Sequence, residues 1–463
     1  MTRKTRKVGS YVAMILAFAL VAAACGDDGG GTATDAPGTT GAPGTTAAPG
    51  TDAPGTTAGT TEPIMVGELA YYTGPFAPYG QSLTADVRFP IYEVINLDPP
   101  LGRPMEAIHE DIGTVGEGQA ARKLVEQDNV DVLVSAAHEY RTYRPWLLEV
   151  LAEQDRPLMP TVHGGTIPKN LGGVGTEPIF RAQGLDEGLG TFGVLYAEQI
   201  AAESIVIFAT QVEGFQLAAD AAEAAAGEIG IEVLARIDAQ AEQPSYRTEA
   251  QRIADLEPDA VIVQAGSVES ATLIKQAAEA GLSLYWIGET GWIQPEFIGT
   301  LTADPIATQQ GIGFAAFGPH KDTPAWEFYQ PLWDDNPDYN QYGPATDQYH
   351  FSTYDLMIIT ALAIEQAGSV DASAWAPAMF EVTEGGTVCY TYPDCLAMIR
   401  AGEDVDYDGI TGPGTFTSGG VNAVTPTVTL FNEDGSVGEE VLVDANRALE
   451  IIEAIAVEAG PDW

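Results

Sequence analysis

The chain has 463 residues and a formal net charge of −46 at pH 7, with Asp and Glu spread along its folded part. Its length allows a large core divided between two lobes. Such an acidic surface repels phosphate backbones and anionic lipid, which argues strongly against nucleic-acid binding. We interpret the spread of acidic residues as an adaptation for solubility rather than as an acidic docking surface.

The first residues have the pattern of a secretory leader. Four Lys and Arg residues within the first seven precede an apolar run over 11–24 that ends in small residues. This pattern predicts a signal peptide over 1–24. Cys25 resembles the lipidated cysteine of a bacterial lipobox, and the alternative is a plain secretory signal with Cys25 lost. Residues 25–62, rich in Gly, Thr, Pro and Ala, predict a disordered linker to a part that works outside the cytoplasm.

After the linker, short apolar runs alternate with helix-like stretches, the pattern of an α/β fold with parallel sheets. The first series predicts strands at 64–69, 105–110, 130–134 and 157–160. It also predicts a helix that follows the first loop and ends at residue 95, and helices at 116–127 and 145–154. The second series predicts strands at 204–209, 233–237, 259–264 and 284–287, with helices at 188–202, 215–229, 246–256 and 270–281. Two such series predict two similarly built lobes, each with a doubly wound parallel sheet.

The remaining residues are expected to link the lobes through several hinge segments. We expect residues 311–317 to return the chain to the first lobe, helices at 347–367 and 373–380, a crossing segment at 407–416, and terminal strands at 425–431 and 440–443. The first lobe then comprises 63–182 and 312–412, and the second comprises 183–311 and 413–463. Hinges of this kind suit closure on a ligand.

Cys389 and Cys395 form a close pair separated by turn residues. In an oxidising compartment this spacing makes a short loop disulfide easy. Metal binding is the alternative, but two thiols with no nearby His make a poor site.

Several segments, taken in order, resemble one family. They are VGELAYYTGPFAPYGQ (66–81), ARKLVEQDNVDVLVSA (121–136), RPLMPTVHGGT (156–166), YWIGETG (285–291) and STYDLMIITALAIEQAG (352–368). Together they resemble an extracytoplasmic solute-binding protein of the branched-chain amino acid type. The resemblance implies the periplasmic binding protein type I fold and a receptor that feeds an ATP-binding-cassette (ABC) importer.

The resemblance also implies where a ligand would bind in the first lobe. Family members hold a carboxylate on loops that enter helices, and Gly164, Gly165 and Thr166 match that loop. The preceding segment 138–143 is unusually polar and aromatic, so Tyr140, Thr142 or a neighbour is expected to contact the ligand. Tyr79, in the first loop, is a further candidate contact.

In the second lobe, Glu289 lies close to the family's carboxylate that pairs with a ligand ammonium, and a one-residue shift would place Thr290 there instead. Glu213 and Gly266 stand where the family often has aromatic residues, and Glu213 is a candidate contact. The loss of aromatic residues puts a standard branched-chain amino acid in doubt. Trp292 and Phe317 are better explained as packing residues.

The sequence favours a receptor over an enzyme. No nucleophile with a positioned base, no phosphate-binding loop and no cofactor motif is found, and five scattered His residues argue against a metal site. We expect a monomer, tethered by lipid to the outer face of a bacterial membrane, that binds an amino acid or a related amide or carboxylate and meets ABC permease subunits. A sensory subunit of the same fold, signalling to a membrane kinase or receptor, is the alternative.

Overall fold

A computed structural model describes residues 62–73, 77–135, 139–161, 177, 179–181, 183–184, 186–413, 416, 420–422, 425–444, 447–448, 450–452 and 454. Cys25 and the leader lie outside the described residues. Among the described residues, no helix is both long enough and apolar enough to cross a membrane.

The first lobe is built on parallel strands, most of which are buried. They are β1 (Ile64–Ala70), β2 (Met105–Asp111), β3 (Val132–Val134), β4 (Met159–Thr161) and β5 (Ile179–Arg181). β1 pairs with β2 on one side and β3 on the other. Single bridges from Val132 to Leu158 and from Ser135 to Thr161 place β4 beside β3, and β4 pairs with β5. The spatial order 2-1-3-4-5 is that of a doubly wound fold, as predicted.

Helices connect these strands. They are α1 (Ala77–Glu93), α2 (Ile112–Val115), α3 (Glu117–Arg122) and α4 (Tyr140–Gln154). α4 begins five residues earlier than the sequence predicts, because Pro145 lies inside the helix rather than at its start. Residues 140–143, which precede the predicted helix at 145–154, therefore form the first turn of α4.

The second lobe contains a seven-stranded sheet. Its strands are β6 (Ser204–Thr210), β7 (Glu232–Ala239), β8 (Ala260–Gln264), β9 (Tyr285–Gly288) and β10 (Gly311–Gly318), joined later in the chain by β14 (Thr425–Phe431) and β15 (Val437–Leu442). Its helices are α5 (Asp186–Gln199), α6 (Glu213–Ile229), α7 (Arg247–Leu256), α8 (Ser267–Glu279), α9 (Pro295–Leu301) and α10 (Ala303–Ile306). One apolar cluster, which includes side chains of α5 and α6, lies on one face, and a second, which includes side chains of α7, α8 and α9, lies on the other.

The expectation that residues 311–317 return to the first lobe is wrong. This segment is β10, which pairs in parallel with β9 and antiparallel with β14. Phe314 packs in one core cluster of the second lobe and Phe317 in the other. A strand that is apolar on both faces needs cover on both sides, and the interior of this sheet provides it.

The chain then re-enters the first lobe before it ends in the second sheet. The elements are α11 (Pro324–Asp334), α12 (Gln348–Ala367), α13 (Ala372–Glu381), β11 (Thr387–Cys389), α14 (Tyr392–Ala401), β12 (Val405–Gly409), β13 (Gly412–Pro413), β14 (Thr425–Phe431) and β15 (Val437–Leu442). α12 is buried along most of its length, and its buried residues include polar side chains as well as apolar ones. Cys389 and Cys395 form the predicted disulfide, with a Cα–Cα distance of 5.5 Å.

Candidate ligand-binding site

In doubly wound folds, ligands bind outside the carboxyl ends of the strands, where the strand order reverses. In the first sheet this point lies between β1 and β3, and in the second it lies between β6 and β8. We define the first-lobe edge as residues 71–73, Ser135 and Glu139. We define the second-lobe edge as Thr210, Gln264 and Glu289, which stand at or just beyond the ends of β6, β8 and β9.

The first-lobe edge is held by a buried carboxylate, Glu117, which is 0% exposed. One oxygen accepts hydrogen bonds from the Ser135 hydroxyl at 2.6 Å and the Tyr143 hydroxyl at 2.7 Å. The other accepts from the backbone N–H of Glu139 at 2.8 Å, and the Glu139 carboxylate accepts from the N–H of Glu117 at 3.1 Å. Burial raises the pKa of Glu117, while these donors oppose the rise. The reciprocal contact fixes the end of β3 and the start of α4.

Tyr140 is 2% exposed and lies inside the first lobe. Its hydroxyl donates to Glu177 at 3.0 Å, and the Arg144 guanidinium contacts the same oxygen. Tyr140 also packs edge-on against Tyr143, with ring centroids 5.5 Å apart. In this arrangement both tyrosine side chains are buried in the interior of the first lobe. Thr142 is exposed, and its hydroxyl donates a hydrogen bond to the Glu139 carbonyl at 2.7 Å.

Other expected ligand contacts fall outside what the structure describes. Gly164, Gly165, Thr166 and His138 lie outside the described residues. Tyr79, Arg141 and Glu213 belong to described helices, near the starts of α1, α4 and α6, but nothing is described of their side chains.

At the second-lobe edge, Glu289 is a buried residue that is 8% exposed. One oxygen accepts from the Gly291 N–H at 2.7 Å and caps the 3₁₀ turn Thr290–Ile293. Burial raises the pKa of Glu289 to about 7, and the Gly291 bond opposes that rise. Among the described residues, no cation pairs with this carboxyl group, so it is an acceptor without a positive partner.

Thr290, which a one-residue shift would place at the ligand ammonium instead of Glu289, forms a hydrogen bond to a residue of the first lobe. Its hydroxyl donates to the Gln348 side-chain oxygen at 3.3 Å, and Gln348 is the first residue of α12 in the first lobe. The backbone N–H of Phe317 donates to the same oxygen at 3.4 Å. Gln348 therefore connects the second-lobe edge to the first lobe.

Sequence reasoning missed two polar residues at the second-lobe edge. Gln264 is 1% exposed, and neither its amide oxygen nor its amide nitrogen has a hydrogen-bond partner among the described residues. The hydroxyl of Thr210, at the end of β6, is also buried without a partner there. The available signal was a polar residue that ends an otherwise apolar strand, as in AVIVQ and SIVIFAT.

Trp292 and Phe317 are packing residues, as expected. The Trp292 ring stacks on Phe297 with centroids 4.5 Å apart, and Phe317 packs edge-on against Phe192 at 5.5 Å. Within the described part of the chain, no group of three or more His, Cys, Asp or Glu side chains is arranged to hold a metal ion.

Two doubly wound lobes with polar groups at the carboxyl edges of their sheets define a bilobal solute-binding protein rather than an enzyme. The chain belongs to the periplasmic binding protein family, whose model matches residues 63–430. The family implies a location outside the cytoplasm and a small-molecule ligand.

Solved structures of several binding proteins share the fold. A leucine-binding protein from Thermotoga maritima is 17% identical, with a TM-score of 0.63 over 83% of this chain and 99% of its own. A branched-chain amino acid binding protein from Streptococcus pneumoniae, in complex with isoleucine, is 16% identical, with a TM-score of 0.61 over 82% and 99%. A solute-binding protein from R. palustris, in complex with benzoate, is 14% identical, with a TM-score of 0.57 over 82% and 95%. A comparison with curated proteins gives no significant match.

Proposed function

We propose that the protein is a lipid-anchored extracytoplasmic receptor that closes on an amino acid or amino-acid-like compound and delivers it to an ABC importer. The observation that carries the ligand class is Glu289, a buried carboxyl group that has one backbone donor and, within the described part of the chain, no cation against it. A ligand nitrogen that bears N–H groups supplies the missing donors, and charge-assisted bonds of this kind are strong.

The opposite end of the ligand is proposed to be a carboxylate. Leucine, isoleucine and benzoate, which are named for the three similar structures, all carry one. Gly164, Gly165 and Thr166 are proposed to receive it through backbone N–H groups at a helix entrance. Tyr79, Tyr140, Thr142 and Glu213 remain proposed contacts, of which Tyr140 requires its hydroxyl to leave Glu177.

The membrane attachment is proposed to run through lipid on Cys25 and the linker 25–62. The lobes then act at the outer face of a bacterial membrane as a monomer that docks on permease subunits. The sequence of the leader supports this part of the proposal.

The test combines ligand discovery with fractionation. Protein lacking residues 1–62 is denatured, released small molecules are identified by mass spectrometry, and a panel of amino acids, amides and carboxylates is screened by melting temperature. We expect one compound near one per chain and a saturable rise in melting temperature. Full-length protein is expected in the membrane fraction and its Cys25→Ser variant in the soluble fraction. A flat melting response to the whole panel would contradict the receptor, and a membrane-bound Cys25→Ser variant would contradict the anchor.

A further inference from the structure

The unpaired amide of Gln264 calls for a physical explanation. Buried polar groups in proteins are nearly always hydrogen-bonded, and an unpaired one lowers the free energy of unfolding. Gln264 is 1% exposed, and neither its amide donor nor its amide acceptor is paired with any residue that the structure describes. A leucine in the same volume would avoid this loss, so the polar atoms are retained at a cost to stability.

Gln264 lies on the same face of the second sheet as Glu289. Ile262 of β8 and Ile287 of β9 are paired directly across the two strands and share one core cluster. Gln264 and Glu289 each lie two residues further along, and Glu289 keeps an extended backbone with φ −113° and ψ 170°. Because side chains in strands alternate with a period of two, these two residues are cross-strand neighbours at the second-lobe edge.

The two side chains present a specific set of hydrogen-bonding groups. Gln264 offers N–H donors and a carbonyl acceptor, whereas Glu289 offers a carboxyl oxygen beyond the one that Gly291 occupies. A ligand ammonium donates to Glu289 but has no acceptor for the Gln264 amide. A ligand carboxylate accepts from Gln264 but has no donor for Glu289. A primary carboxamide or a ureido group has both, in one plane.

We propose that Gln264 contacts the ligand and that, together with Glu289, it selects a compound whose second-lobe end is a primary carboxamide or ureido group. This inference rests on the proposed receptor function and narrows its ligand class. It does not depend on the first-lobe contacts.

The experiment uses protein lacking residues 1–62 and probes of similar length. Succinamate carries a carboxamide, N-carbamoylglycine a ureido group, 4-aminobutyrate an ammonium, and butyrate none of these, while all four carry a carboxylate. Leucine and benzoate complete the set. Dissociation constants are measured by calorimetry, and melting temperatures are measured with and without each probe.

The variant is Gln264→Leu, with Gln264→Met as a second variant if the branched side chain does not fit. The matched control is Thr353→Val in α12, where a fully buried hydroxyl in the first lobe also has no partner among the described residues. We expect Gln264→Leu to melt higher than the wild type without ligand and to bind succinamate or N-carbamoylglycine at least tenfold more weakly. Thr353→Val is expected to leave the dissociation constants unchanged.

The outcomes separate the two proposals. If 4-aminobutyrate or leucine binds more tightly than both succinamate and N-carbamoylglycine, the inference about Gln264 is overturned and the receptor function stands. The same holds if Gln264→Leu binds succinamate and N-carbamoylglycine with wild-type affinity. A ligand-free Gln264→Leu protein that melts lower than the wild type assigns the amide a structural role and also overturns the inference. If none of these probes changes the wild-type melting temperature, the inference is overturned, and the proposed function fails only if the wider panel of amino acids, amides and carboxylates also leaves the melting temperature unchanged.

Discussion

Some buried carboxyl groups have a cationic partner, such as Glu177 with Arg144, but Glu68 and Glu289 have none among the described residues. The sequence has 66 Asp and Glu residues against 20 Lys and Arg, so most acids have no basic partner. Glu68 is 2% exposed and accepts from the Thr84 hydroxyl at 2.9 Å, and burial raises its pKa to about 8. Glu289 is in a similar state with one backbone donor. Without a ligand, each of these carboxyl groups lowers its desolvation penalty by retaining a proton below its raised pKa, whereas a ligand N–H donor favours the ionised form of Glu289.

The pH dependence of stability tests the state of Glu289. Its folded pKa of about 7 exceeds the ordinary value of 4.5, so the favourable contribution is complete below pH 4.5 and is lost as the pH rises through 7. Glu289→Gln removes this loss. We expect the variant to match the wild type at pH 4.5 and to exceed its free energy of unfolding by roughly 3 kcal/mol at pH 8, as measured by urea denaturation without ligand.

The control is Glu296→Gln, an exposed carboxylate in the first turn of α9. It is expected to follow the wild-type curve at both pH values. If the stability difference between Glu289→Gln and the wild type does not change with pH, Glu289 is an ordinary ionised carboxylate.

At the residue scale, the family resemblance pointed to Glu289, and the structure places this residue at the second-lobe edge, directly after β9. The sequence pattern placed Tyr140 and Tyr143 before a helix that starts at Pro145, whereas both residues lie inside α4. Pro145 is tolerated at the sixth residue of α4, where its ring costs one backbone hydrogen bond near the helix start. Gln264 was missed since a polar residue at a strand end is also the usual sign of a turn.

At the scale of single elements, apolar periodicity located most strands and helices within a few residues. α12 is a clear case, since Asp347 accepts from the Tyr349 N–H at 2.9 Å and Gly368 ends the helix in the left-handed region, with φ +66°. β10 shows what periodicity leaves open. Its residues predict a doubly covered strand, but two sheets offer such a place, and the choice depends on pairing with β9 and β14.

The disulfide between β11 and α14 gives a prediction at this scale. Cys389 and Cys395 are six positions apart, and closing so short a loop stabilises the folded chain by about 2 kcal/mol. Substituting both cysteines by serine is expected to lower the free energy of unfolding by that amount. Among the described residues, no hydrogen bond links either element to the first-lobe edge, so ligand affinity is expected to stay the same.

Urea denaturation measures the free energy of unfolding of the wild type and the double-serine variant, and calorimetry measures their ligand affinity. A reducing agent is expected to weaken the wild-type protein lacking residues 1–62 and to leave the double-serine variant unaffected, because that variant has no thiol. Equal stability of wild type and variant would show that the loop is held by packing alone.

At the scale of the whole molecule, Gln348 connects the two lobes. Its side-chain oxygen accepts from the Thr290 hydroxyl and the Phe317 N–H, both in the second lobe, while its backbone begins the most buried helix of the first. Thr290 directly follows Glu289, so a ligand that moves Glu289 also acts on this contact. The sequence predicted hinged lobes, but it gave no indication of this contact between residues far apart in the chain.

Gln348→Leu is expected to loosen the relation between the lobes. The variant leaves the Phe317 N–H without its acceptor, which costs roughly 1–3 kcal/mol in the arrangement described. We expect a larger radius of gyration without ligand, measured by small-angle X-ray scattering, and weaker binding of the native solute.

Gln251→Leu, on the exposed side of α7, is the control and is expected to scatter like the wild type. Identical scattering and affinity for Gln348→Leu and wild type would show that the Gln348 contact does not restrain the lobes.

The chain passes between the lobes several times, and this has a consequence for the order of assembly. The first-lobe core contains side chains from Ile64 to Phe416, and the second sheet joins strands from Ser204 to Leu442. During synthesis, neither core can be completed until more than 400 residues have emerged, and contacts of such sequence separation form slowly. The nascent chain therefore remains incompletely folded until its last strands are available, and both lobes acquire their final form at nearly the same time.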